Sequence, residues 1–223
     1  MLYNEFTAMA TDLFLHHSTH PTDLALAWKV RLQRLIEETH DLRKTKADVH
    51  TSLILKGIES QLDEWEPTIP PDVRRQHTVH IGILTTRIFI VSAPLLKFPA
   101  LKSHGQSPSA ESENPTPERL LRIVPHLHGL FEYFLALPAA EINAFSGPDW
   151  GSLILAIVVG YRISFPLPDM PEWDGTYARG VIRFSEYADR LCRMGGEAGK
   201  FCPWLWVTMA FQACYLVARL FID

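Results

Sequence analysis

From Leu24 to about Asp48, apolar residues recur as Leu24, Trp28, Leu32, Leu35 and Ile36, spaced mostly by three and four, while Arg, Lys and Glu fill the other side. That spacing places one stripe on a core and predicts an amphipathic helix. A second helix is predicted from about Val49 to Trp65, with Leu53, Ile54, Ile58 and Leu62 as its apolar face. Pro67, Pro70 and Pro71 stop it, because proline lacks an amide hydrogen and disfavours helix in the residue before it. Asp72–Pro94 reads as a third helix, very apolar from Val79 to Ala93 and too long for an ordinary strand.

The pattern lapses over 99–117, a Ser, Glu, Pro and Asn stretch that predicts a disordered surface loop. Thr116 caps the next helix, which opens at Pro117 and runs through Leu121, Val124, Leu127, Phe131 and Phe134 to about Leu137, with a kink expected at Pro125. Ser146-Gly147-Pro148-Asp149 starts a further helix, Trp150 to about Ser164, apolar on nearly all sides and therefore central. After a proline-rich link, Asp174 caps a helix of about twenty residues expected to end at Gly195-Gly196, and Pro203 opens the last one. The fold expected is all-α: one domain over 1–223, an irregular bundle or array of about seven or eight helices, several as antiparallel pairs.

Composition fits a globular chain, with 47% apolar and 21% charged residues. The net charge of −4 and the lack of a basic stripe argue against direct DNA binding, which draws on phosphate neutralisation. Three cysteines, Cys192, Cys202 and Cys214, give no disulfide framework and no zinc-finger spacing, and with no signal peptide they point to an intracellular protein. Trp204–Ile222 is apolar enough to suggest a membrane span, but Gln212 and Arg219 are costly in lipid, so a core helix is expected instead.

Two blocks carry a family resemblance. The first is Leu62-Asp63-Glu64-Trp65-Glu66 followed by Ile69-Pro70-Pro71-Asp72-Val73. The second is Phe145-Ser146-Gly147-Pro148-Asp149-Trp150, then Tyr161-Arg162-Ile163-Ser164, then Pro171-Glu172-Trp173-Asp174 and Ala178-Arg179. In order and spacing they resemble the middle region of fungal zinc-cluster transcription factors, over roughly Val49 to Arg190. The resemblance implies an all-α regulatory domain with a nuclear location and a role in transcriptional control, often of a secondary-metabolite gene cluster; for the chain itself a nuclear or cytoplasmic location is expected. The six N-terminal cysteines that hold zinc in that family have no counterpart here, since the first cysteine is Cys192. The chain is then either a fragment or a free-standing relative without the DNA reader, working through a protein partner, a homo-oligomer or an apolar small-molecule effector. A natural-product enzyme of cyclase type, on the same helical scaffold, is the alternative.

Candidate chemistry is sparse, and no metal or cofactor site is expected. His16, His17 and His20 read as surface histidines, and His77 and His80 as a polar helix face beside Arg74 and Arg75. Asp63, Glu64 and Glu66 suggest a metal–diphosphate site less than a solvated helix end, although acidic groups there oppose the helix dipole and the pattern alone does not explain them. Arg162 follows the apolar run Leu153–Tyr161, so a buried ion pair with Asp149, Asp169 or Asp174 is expected. Trp65, Asp149 and Asp174 are expected to be structural, the two Asp as helix caps and Trp65 at a helix end. If a ligand pocket exists, Arg162, Tyr161, Trp150, Phe131, His128 and Trp173 are its expected lining.

Overall fold

The computed structural model describes residues 4–44, 49–96, 116–167 and 170–197. They are mostly helical, with turns and short loops between the helices, one isolated β-bridge, Leu167 to Met170, and no strand among the described residues. The helices are α1 Glu5–His17, α2 Pro21–Lys44, α3 Val49–Trp65, α4 Pro71–Arg74, α5 His77–Ser92, α6 Pro117–Ala136, α7 Ala139–Asn143, α8 Gly147–Ile163, α9 Gly175–Ile182 and α10 Phe184–Glu197. The chain forms two compact units whose boundary lies inside α6, between His126 and Leu127 and just after Pro125. The expected loop at 99–117 and the helix from Pro203 fall almost wholly outside the described residues.

In the first unit, α1 and α2 form a hairpin. Asn4 caps α1 by accepting from the Thr7 amide at 2.9 Å, and the Ser18 hydroxyl, donating to Asp23 at 2.9 Å, fixes the turn into α2. Pro21 opens α2, where a missing amide hydrogen costs nothing. Trp28, Leu32 and Leu35 of α2 pack in one core cluster with Leu55, Ile58 and Leu62 of α3 and with Val79, Ile83 and Ile90 of α5. Arg31 lies over the rings of both Trp28 and Trp65, at 5.2 and 5.4 Å, and pairs with Asp12 at 3.0 Å. One guanidinium thus ties α1, α2 and α3 together and gives Trp65 its structural role.

Several expectations are corrected. The buried face of α3 is Leu55, Ile58 and Leu62, whereas Leu53 and Ile54 are exposed. Helical geometry puts Leu53 about 200° behind Leu55, on the opposite side. Leu121 of α6 is likewise exposed, its stripe being Leu120, Ile123, Val124, Leu127, Leu130, Phe131 and Phe134. The expected Asp72–Pro94 helix is broken at Arg75-Gln76, where Gln76 takes an extended backbone and its side chain donates to the Pro21 carbonyl at 3.0 Å.

In the second unit, Ser146 and Asp149 start α8 with a capping box, the Asp149 carboxylate accepting from the Ser146 amide at 2.9 Å. Asp174 caps α9 by accepting from the Thr176 amide at 2.9 Å. The long helix expected after Asp174 is divided at Arg183, whose φ of 49° is left-handed, so α9 ends and α10 restarts in a new direction. α10 then continues through Gly195-Gly196 to Glu197. Gly175 is required by its surroundings: a Cβ there would stand 3.0 Å from the Ser164 carbonyl group and 3.1 Å from the Ile163 oxygen.

Candidate functional site

The second unit carries an open cleft of about 450 Å³. α6 contributes His128 and Glu132, one turn apart on one face. The end of α9 contributes Gly180, Val181 and Ile182, and Arg183 turns the chain so that α10 presents Glu186, Tyr187 and Arg190. Arg183 stands at positive φ without being glycine, a strained conformation of the kind that concentrates at functional sites. Two ion pairs edge the cleft, Arg190 with Glu132 at 3.2 Å and Arg183 with Glu186 at 3.5 Å. Both are exposed, so they contribute little to stability and remain open to exchange with a polar ligand.

Tyr187 is the distinctive member. Its ring stacks on Phe131 at 4.0 Å between centroids, tilted 23°. Its hydroxyl is buried and has no hydrogen-bond partner among the described residues. Burial, with Glu132 nearby, pushes the phenol far above its usual range, so it stays a neutral donor at every physiological pH. An unmatched buried hydroxyl is costly unless something accepts its hydrogen; Trp28 Nε1, Thr85 Oγ1 and Ser92 Oγ share this state elsewhere among the described residues.

A different arrangement occupies the first unit. Arg87 of α5 donates to Asp63 at 2.6 Å and to Glu66 at 2.5 Å, and Glu66 also accepts from Arg74. These pairs explain why acidic residues sit at the end of α3: two guanidinium groups offset the unfavourable dipole. Glu59 on the same helix accepts from Arg119 at 2.8 Å and from Arg122 at 3.3 Å. Two half-buried histidines border this network. Burial and then Arg74 hold His80 below its ordinary 6.5, and burial and then Arg87 do the same for His126, Glu66 opposing in both cases.

The sign of this effect is definite. Between the lowered folded value and 6.5, the unfolded chain binds more protons than the folded one, so stability rises with pH there. Stability contributed by His80 and His126 is therefore complete above about pH 6.5 and declines as the pH falls through their folded values. Urea midpoints taken from pH 7.5 to 5 should fall, and the double variant His80→Gln/His126→Gln should flatten that fall. An unchanged slope in the double variant would show that other groups carry it.

Of the six expected lining residues, only His128 borders the cleft, with Phe131 buried behind Tyr187. Trp150 stacks edge-on to Phe145 at 5.7 Å, and Tyr161 meets Phe184 at 5.8 Å. Trp150 and Tyr161 stand about 16 Å apart along α8, at 1.5 Å per residue, so they do not share one small pocket. Trp173 is buried and donates its indole N–H to the Ile163 carbonyl at 2.9 Å, as a structural anchor. The expected pairing of Arg162 with Asp149 fails for the same reason of length, the two residues lying about 20 Å apart on one helix. Asp174 is exposed and spends its carboxylate on the α9 cap, so it does not supply a buried partner either; Asp169 lies outside the described residues.

Glu132, Arg183, Glu186, Tyr187 and Arg190 were not expected in a site. The available signal was the spacing Phe184, Tyr187, Leu191, a helical apolar stripe in which one member carries a hydroxyl. His16, His17 and His20 are exposed, and no three potential metal ligands converge among the described residues. No helix among the described residues is long and apolar enough to cross a membrane, and Trp204–Ile222 lies outside them. Comparison with known proteins gives no match to any family model, to any curated protein or to any solved structure.

Proposed function

We propose that this chain is a regulatory domain, related to the middle region of fungal zinc-cluster transcription factors, that responds to a small-molecule effector bound in the α6–α9–α10 cleft. The observation that carries the reading is the Tyr187 hydroxyl, buried beside the cleft without a partner. Once a small shift of the Tyr187 ring uncovers the hydroxyl to the cleft, a carbonyl or ether oxygen on a compact, largely apolar molecule would accept its hydrogen, while Val181 and Ile182 cover the apolar part. Strong elevation of its pKa makes Tyr187 a hydrogen-bond donor and removes it as a general base. The resemblance over Val49–Arg190 and the net charge of −4 support a role in nuclear transcriptional control exerted through partners and not through direct DNA contact.

A second reading, an enzyme of natural-product biosynthesis, draws on one observation. His80 and His126 are half-buried and held neutral beside the Glu66–Arg87 network, and perturbed titrating groups of this kind also mark acid–base sites.

Native mass spectrometry of the protein mixed with a metabolite extract separates the two. A retained molecule released unchanged supports the effector reading, a converted one supports the enzyme, and no retained molecule overturns the effector reading. Tyr187→Phe sharpens the test, because it removes a hydroxyl that makes no hydrogen bond among the described residues. Stability should stay the same or rise by up to about 1 kcal/mol. Ligand retention should fall about tenfold, the value of one neutral hydrogen bond of about 1.4 kcal/mol. Lost stability with unchanged retention would place the hydroxyl in the fold instead.

A further inference from the structure

The outer face of α1 is apolar yet exposed: Phe6 is 72%, Met9 65% and Leu13 60% accessible. These residues follow a three-then-four spacing, so they lie in one stripe, while the opposite side of the helix turns Thr11 and Leu15 inward. Large side chains aligned in this way over two turns form a seam of the kind that pairs helices, and isolated surface apolar residues do not. The adjoining Asp12 is held by Arg31 of α2, which engages a carboxylate next to the seam within the same chain.

The ends of the stripe are of opposite character. Glu5 stands at the start of the helix and the exposed His16 and His17 at its end. A stripe that reads acidic, apolar, basic is complementary to a reversed copy of itself. Turned antiparallel, one α1 sets Glu5 beside His16 and His17 of the partner subunit, Phe6 toward the partner's Leu13, and Met9 near the two-fold axis. The helix dipoles then also run in opposed directions, and each imidazole offers an N–H to a carboxylate. Because α2 already holds α1 in place, pairing does not have to fold a 13-residue helix from coil.

We propose that α1 is a homodimerisation surface on which two copies of this chain pair antiparallel through Phe6, Met9 and Leu13. This pairing is independent of the effector reading, since it uses no residue of the cleft. Sedimentation velocity of the full chain, over a range of concentrations in mildly acidic buffer, should show a monomer–dimer equilibrium. Met9→Glu should raise the dissociation constant about 100-fold, as for a residue at the centre of an interface, with an unchanged circular dichroism spectrum. Glu5→Lys should weaken the dimer about tenfold, and adding His16→Glu and His17→Glu should restore it by reversing both ends of the complementarity. A wild-type chain that is monomeric at every concentration overturns the proposal. A dimer indifferent to Met9→Glu moves the interface off α1, and failure of the charge reversal to restore pairing overturns the antiparallel arrangement.

Discussion

Phe131→Ala should destabilise the protein by about 3–5 kcal/mol in equilibrium urea unfolding, the range for a fully buried phenylalanine. The ring is almost inaccessible, stacks on Tyr187 and touches Phe184 at 6.4 Å between centroids. It also lies against Gly160, where a Cβ would stand 3.0 and 3.1 Å from two of its ring atoms. α8 can approach the ring this closely because position 160 has no side chain. Gly160→Ala alone therefore gains about 1 kcal/mol of helix propensity and loses a similar amount to crowding, for a net change near zero. With Phe131 already truncated, the crowding vanishes and the same change should stabilise by about 1 kcal/mol. Additivity of the two substitutions, or a Phe131→Ala loss below about 1.5 kcal/mol, would refute this packing. The cleft should fail with the core, because Tyr187 loses the surface against which it is stacked.

Most of the fold was legible because helix formation is local. The stripe Trp28, Leu32, Leu35 is buried as the spacing predicts, and the caps Asp149 and Asp174 sit at the helix starts assigned to them. What was misread depended on choices that propensity does not make. Leu53 and Ile54 are as apolar as Leu55, and only the neighbouring helices decide which face is covered. Nothing in Gly-Val-Ile-Arg-Phe announces that Arg183 will take a left-handed conformation, since arginine there costs about 1 kcal/mol that surrounding packing must offset. The site was less legible than the fold. Tyr161, Trp150 and Trp173 are conspicuous residue types, but α8 is a rod, and residues at its two ends do not converge.

A lone arginine in an apolar run needs a carboxylate, and Arg87 shows this directly. Arg87 is the one charged residue between Val79 and Ala93, and it reaches both Asp63 and Glu66. Its side chain is 21% exposed and that of Glu66 is 18% exposed, between a surface pair and a buried one. Arg87→Met should accordingly cost about 2–3 kcal/mol, more than an exposed bridge and less than the full cost of stranding a buried charge. The loss should shrink in a Glu66→Gln background, where no charge is left stranded at that position; equal losses in both backgrounds would show that Arg87 acts only by packing its aliphatic stem. His126 supplies a readout of charge that packing alone would not move. Arg87 is the largest charge holding its pKa down, and Glu66 and Asp63 pull the other way. With the guanidinium removed, those carboxylates act unopposed by Arg87, so the imidazole of His126, followed by NMR, should titrate at a higher pH than in the parent. Its contribution to the acid sensitivity of the fold should fall accordingly, because a smaller difference between folded and unfolded values leaves less stability to lose.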